Sequence, residues 1–192
     1  MSGGVRGEDG LIRCDWADST PDYRRYHDEE WGRPVQGDAA LFERLSLEAF
    51  QSGLSWLTIL RKREAFRAAF SNFQPSAVAG FDDADVERLM QDSGIVRNRA
   101  KILATIANAR ALQQLPSGES LGMLLELRRP APRPAPDTLA DVPAVVPESV
   151  ALAKALKARG FRFVGPTTGY AMLQATGYVN DHLHRCWVRG SM

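Results

Sequence analysis

Four side chains near the two ends of the chain have the chemistry of a closed metal site. Cys14 and His27 are thirteen residues apart, and His182 and Cys186 are four apart. A His-x3-Cys pair falls on one face wherever its segment is helical. A capped helix between Cys14 and His27 would fold the histidine back towards the cysteine. Two thiolates and two imidazoles complete a tetrahedral zinc site, structural in type, with no position left for water. Read separately, the same four are free buried thiols and ordinary histidines. They are grouped because both cysteines and two of the three histidines form two pairs near the termini. His184 competes with His182, although on a helix it would face away from Cys186.

A second set centres on Glu48 and Trp56. Leu41, Phe42, Leu45 and Ala49 make an apolar helical stripe, and Glu48, seven residues after Leu41, lies roughly 20° from it on the wheel. Trp56 follows a break at Ser52-Gly53. A carboxylate and an indole on two helices meeting at that bend make a pocket with one charged wall. The plainer reading is a local cap or ion pair for Glu48 and a core position for Trp56. A third set is the run LMQDSGIVRNRAK at 89–101, two helices around a glycine turn followed by bases. Gly94 can take a left-handed conformation, and the amides that open the next helix can hold a phosphate. Arg97, Arg99 and Lys101 add charge. An ordinary helical hairpin also uses glycine.

The elements that must carry these residues read as helices. Ser-Thr-Pro-Asp at 19–22 supplies a cap and a first-turn proline for a helix bearing Tyr26 and His27. Asp38 is placed to cap the helix that carries Glu48. Further helices are expected at about 55–70, briefly after Pro75, at 82–91 with Val86, Leu89 and Met90 inward, at 98–115, at 120–127, from Pro147 to Arg159, and from Pro166 to Ala175. Six of the eleven prolines lie within 128–147, which excludes helix there and predicts a polyproline-like strap. GFRFVG at 160–165 is the only strand-like run. The class is all-α: a lead-in over residues 1–10 expected to be flexible, then one domain over 11–192, with the strap at about 128–147 and the hairpin at about 82–114.

At 192 residues, 44% apolar and 24% charged, the composition is that of an ordinary globular chain. No apolar run reaches the roughly 18 residues of a membrane helix, and the N-terminus has no signal-peptide core. The expectation is a cytoplasmic protein with no membrane partner. Net charge is +1, but residues 93–118 and 149–180 contain no acid and four bases each. Two such windows suggest one positive face and a polyanionic partner.

RCDWA at 13–17, YHDEEWGRP at 26–34, LFERLSLEAFQSGLSWLTILRKRE at 41–64, QDSGIVRNRAKI at 91–102 and LKARGFRFVGPTTGYAMLQATGYVNDH at 156–182 together resemble the DNA-3-methyladenine glycosylase I family. The resemblance covers about residues 11–187. It implies an all-α helix-hairpin-helix DNA glycosylase fold with a zinc clasp, one structural Zn2+ on Cys14, His27, His182 and Cys186, and base recognition by Glu48, Tyr26 and Trp56 with Trp31 close by. It also implies DNA contacts at Gly94, Ile95 and Arg97 in the hairpin, and at Ser52 and Leu54 in a loop that probes the duplex. The implied partner is double-stranded alkylated DNA, met by a bacterial monomer at the nucleoid. Many relatives of the wider fold carry a catalytic Asp downstream of the hairpin; with no acid in 149–180 it is absent here, as in this family. The implied reaction is release of 3-methyladenine, with 3-methylguanine a second candidate lesion, and no strand cleavage. The alternatives are a hairpin module that binds DNA without catalysis and a zinc-dependent hydrolase.

Overall fold

Helix α2, Asp38–Gln51, buries Leu41, Phe42, Leu45, Ser46, Leu47, Glu48, Ala49 and Phe50. A helix buried around most of its circumference has to be covered on several sides. Helices α3 (Trp56–Ala69), α4 (Pro75–Ala79), α6 (Arg99–Gln113), α7 (Leu121–Glu126) and α9 (Pro166–Ala175) all pack on it. The remaining helices are α1 (Pro21–Glu29), α5 (Asp83–Gln91), which packs on α6, and α8 (Pro147–Ala158), which packs on α9. The computed structural model describes residues 3–191, and the all-α expectation holds over them. An aromatic seam runs through the core: Phe50 meets Phe66 at 4.6 Å between ring centroids, and Phe70 stacks on Phe73 at 5.5 Å.

Most helix starts follow from single residues whose side chains satisfy the first free amides. Thr20 accepts from the Tyr23 amide ahead of Pro21, Ser55 from Thr58, Asp82 from Ala84 and Asp85, and Asn98 from Lys101. Asp38 departs from expectation. Gly37 occupies the cap position of α2, and the Asp38 carboxylate accepts instead from the Leu121 amide at 3.1 Å, where α7 begins. The free amides of a distant helix claimed the acceptor that sequence order assigns to its own.

The run at 160–165 forms no strand. Phe163 sits at φ 57°, and Arg162 exchanges both backbone hydrogen bonds with the Asn108 side chain, which stands where a neighbouring strand would. Among the described residues the strands that do form are Val5–Arg6 (β1) and Ile12–Arg13 (β2), antiparallel, with Val5 opposite Arg13. The strap has no α-helix but makes one 3₁₀ turn at Leu139–Asp141. It is fixed along its length: the Gly3 amide donates to Asp137 O (2.7 Å), the His184 amide to Pro136 O (2.8 Å), and Arg133 to Asp181. Among the described residues no helix is long and apolar enough to cross a membrane.

Candidate functional site

The capped start of α3 and the last turn of α2 put Trp56 and Glu48 on the wall of one cavity, of about 350 Å³. That volume lies within the range of small-ligand sites. Its first wall is aromatic: Trp16, Tyr23, Tyr26, Trp31 and Trp56. The rings meet edge to face or tilted, with centroid separations of 5.6 Å for Trp16–Tyr23, 5.2 Å for Trp16–Trp31 and 5.3 Å for Tyr26–Trp56. The Tyr23 hydroxyl accepts from the Leu57 amide (3.0 Å), which locks that ring against α3. Arg44 donates to the Tyr26 hydroxyl at 3.2 Å, and burial pushes that phenol's pKa up.

Glu48 is the charged wall. It is only 6% exposed, and among the described residues no donor meets its carboxylate. Loss of solvent raises its pKa to about 7, with the nearby Arg44 charge acting the other way. A buried carboxyl with no protein partner, facing a cavity of aromatic rings, can accept hydrogen bonds from a ligand and favours a cationic one. The local cap or ion pair considered for Glu48 is not formed.

The second wall was not singled out in the sequence: Leu139 and Val142 from the strap, Ala171 and Gln174 from α9, and Asp181. Trp16 and Tyr23 were missed as well, although Trp16 lies two residues after Cys14. Asp181 is the first acid after the acid-free window, and its side chain is fully buried.

Cys14, His27, His182 and Cys186 are all buried, and their ligand atoms lie within 4.8 Å of one another. His27 Nε2 and His182 Nδ1 are 3.2 Å apart, Cys186 Sγ is 3.4 and 3.6 Å from them, and Cys14 Sγ is 3.8 Å from His182 Nδ1. Bond lengths of about 2.0–2.1 Å to nitrogen and 2.3 Å to sulfur give tetrahedral edges of roughly 3.3–3.8 Å. The spacing therefore fits an ion at the centre. The outer nitrogens fit too. His27 Nδ1 faces Asp28 Oδ1 (2.8 Å) and His182 Nε2 faces Trp31 O (3.2 Å). Both acceptors fix the proton on the outer nitrogen and turn the inner lone pair to the cluster. Asp28 is held in turn by the buried Arg13, at 3.0 and 2.8 Å. The helical condition for His-x3-Cys is not met: residues 182–186 form a turn closed by the Cys186 amide on Leu183 O (2.9 Å).

The hairpin joins α5 to α6 through residues 92–98. Gly94 has no left-handed φ; a Cβ there would meet Asp92 Oδ1 at 2.9 Å and the Ala65 Cβ at 3.0 Å, so glycine serves close packing on α3. Lys62 of α3 donates to Ser93 O and Gly94 O at 3.0 and 3.1 Å. Arg97 is exposed, whereas the Ile95 side chain is buried. Lys101 is no surface base: it is 7% exposed, and its Nζ donates to Phe50 O (2.9 Å) and Ser52 O (2.5 Å), closing the end of α2. The loop beyond, Ser52–Ser55, presents Leu54 at 41% exposure, with Gly53 at φ 81°. The two basic windows meet at one groove between α6 and the segment that follows α8, where Arg110, Arg159 and Arg162 lie together. Arg159 is paired with Glu119, and Arg110 donates to Ala79 O and Phe81 O.

Known proteins match this arrangement along nearly the whole chain. The family model for methyladenine glycosylases matches residues 16–189. The DNA-3-methyladenine glycosylase 1 of Escherichia coli K12 is 48% identical over 179 residues, covering 92% of this chain and 96% of that protein. A crystal structure of 3-methyladenine DNA glycosylase I superposes with a TM-score of 0.85 at 47% identity, over 91% of this chain and 98% of the other. A variant of a 3-methyladenine DNA glycosylase I in complex with 3-methyladenine superposes with a TM-score of 0.86 at 34% identity, over 92% and 97%.

Proposed function

The chain belongs to the methyladenine glycosylase family, and from that membership we propose that the cavity is where it takes 3-methyladenine out of alkylated DNA by hydrolysing the N-glycosidic bond. The observation that carries the reading is Glu48: a buried carboxylate without a protein partner, set in a box of aromatic rings.

A base inside a duplex is out of reach, so the nucleotide has to be extruded, and damage that weakens pairing or stacking makes this easier. Methylation at N3 gives adenine a positive charge and weakens its bond to the sugar. The base leaves neutral, so little acid catalysis is needed. The work of the site is selection, and stabilisation of the sugar cation. Faces of Trp56 and Tyr26, with Trp31 nearby, suit a cationic purine at about 0.5–2 kcal/mol per contact. Glu48 accepts from the base edge, and its charge favours the methylated ring over neutral adenine. Leu54, beside Ser52 on the exposed loop, enters the space the base has left. The helix-hairpin-helix that contains Gly94 and Ile95 presents the backbone amides that open α6 to a phosphate of double-stranded DNA, and Arg97 adds charge. With no lysine among the described residues that line the cavity, the base is released without strand cleavage.

The four-residue cluster is assigned to Zn2+, held by Cys14, His27, His182 and Cys186; the ion supplies cohesion between the chain's two ends and takes no part in the bond cleavage. The protein acts as a monomer in the bacterial cytoplasm, at the nucleoid.

The test is chromatographic release of free base from methylated duplex DNA by the native protein and by Glu48→Gln. Release of 3-methyladenine that falls at least tenfold in the variant supports both reaction and pocket. Release that the substitution leaves unchanged moves recognition away from Glu48. Failure of native, metal-loaded protein that still binds DNA would leave a hairpin module without catalysis.

A further inference from the structure

The second wall of the cavity holds a side chain whose polar atoms are not free to choose their orientation. The Gln174 amide nitrogen donates to Asp181 Oδ2 at 2.9 Å. The same carboxylate receives Arg133 on Oδ1 and the Tyr170 hydroxyl on Oδ2, and the Asp181 side chain has no exposed surface. Arg133 also donates to the Tyr170 hydroxyl and lies over that ring, 5.7 Å from its centroid. A carboxylate surrounded by three donors offers nothing but acceptor atoms. Turning the Gln174 amide over would set its carbonyl oxygen against that carboxylate, oxygen to oxygen. The nitrogen is therefore pinned outward to Asp181, and Oε1 is left without a donor among the described residues.

Two consequences follow for the cavity, which both Gln174 and Asp181 line. The Asp181 charge is paired with Arg133, so among the described residues Glu48 is the one cavity carboxylate without a protein partner. Oε1 of Gln174 then stands as a second, neutral acceptor, fixed in direction by a bond behind it. An amide free to turn could serve either donors or acceptors of a base; a pinned one serves donors only.

We propose that Gln174 is a specificity-determining residue: its carbonyl oxygen accepts from the exocyclic amine of the extruded purine, so that the cavity takes a 6-amino base in preference to a 6-oxo base. The proposal rests on the glycosylase reading above and adds to it the edge of the base that is read. A 6-oxo purine would present an acceptor to an acceptor, and a buried polar pair left unmade is penalised more heavily than a formed one is rewarded. The strap enters the chemistry through Arg133, which keeps Asp181 in the position that aims the amide.

The experiment compares native protein with Gln174→Met, which keeps length and volume but removes the acceptor. Release of 3-methyladenine and of 3-methylguanine is measured from the same methylated duplex, and quenching of tryptophan fluorescence by each free base is titrated. The expected result is a preference for 3-methyladenine in the native protein that narrows about tenfold in the variant, in release and in free-base binding alike, with a lower unfolding temperature because Asp181 loses one of its donors. Should the methionine variant fail to fold, Gln174→Asn, which withdraws the amide by one methylene, carries the same comparison. A preference that stays unchanged while release persists overturns the assignment of Gln174 alone, as does an equal loss for both bases. Native protein that releases neither base overturns the glycosylase reading and this proposal with it.

Discussion

Glu48→Gln separates two properties that the buried carboxyl combines, its burden on the fold and its use in the cavity. Its pKa moves from 4.5 to about 7 because the group has lost solvent and gained no donor. At ~1.4 kcal/mol for each tenfold change in proton affinity, that amounts to about 3 kcal/mol. The sign follows from proton binding. Between pH 4.5 and 7 the folded protein holds this proton and the unfolded chain releases it, so stability falls as pH rises through that window and levels off above it. Glutamine cannot ionise, so the variant lacks this dependence. Its stability relative to the native protein should rise by about 3 kcal/mol between pH 4.5 and pH 8. For a chain of this length that is a relative gain of roughly 6–12 °C in unfolding temperature. Other titrating groups, the Cys/His cluster included, are shared by the two proteins and cancel in the difference. The assay is thermal unfolding of both proteins at half-unit pH steps, followed by circular dichroism. Melting temperatures that run parallel from pH 4.5 to 8 would refute the reasoning, since Glu48 would then be hydrated or paired in the free protein. In the same range, base release by the native protein should fall on the acid side of pH 7, where the acceptor is protonated, with a low and flat profile for the variant.

Leu54→Ala removes an exposed side chain, so unfolding should shift by less than about 0.5 kcal/mol, while base release from duplex DNA drops severalfold; equal release by both proteins would remove Leu54 from the probing role. Lys101→Met strips two carbonyls at the end of α2 of a buried charged donor, for a loss of about 1.5–3 kcal/mol, and Lys101→Arg should recover part of it. Denaturant titration of the three proteins checks this, and a methionine variant as stable as the native protein would contradict the clasp. Chelation of the metal should lower the unfolding temperature by roughly 10 °C or more and shift tryptophan emission, because Trp31 and Trp16 pack on the ligands His182 and His27. Metal loss confirmed by elemental analysis with both readings unchanged would show that the cluster is not structural.

The parts of the fold that were legible in the sequence rest on short-range causes. Thr20-Pro21, Ser55, Asp82 and Asn98 act within three residues, and each starts the helix expected of it. Glu48 and Trp56 could be paired because eight residues and one bend separate them. What escaped depends on contacts between distant segments. Asp38 caps a helix 83 positions away, and Lys101 looks like a surface base until the carbonyls of Phe50 and Ser52 surround it. The cavity's second wall is drawn from the strap, α9 and the segment after it, and no local pattern marks Leu139, Gln174 or Asp181 as neighbours. Gly94 was picked out for a dihedral angle and is required for a contact. The four metal-cluster residues were legible for a different reason: cysteine and histidine are so sparse here that their pairing stood out.

The clasp also sets a time at which the cavity comes into being. Cys14, Trp16, Tyr26 and His27 leave the ribosome early, whereas Asp181, His182 and Cys186 come last. At 5–20 residues per second, the interval between Cys14 and Cys186 is roughly 10–30 s. Through that interval the aromatic wall has no opposite wall, and Cys14 and His27 lack the other half of their cluster. A nascent chain therefore lacks the complete cavity, and so does a chain broken off by premature termination. For a protein whose product is DNA with a missing base, that silence protects the genome from its own unfinished repair enzymes.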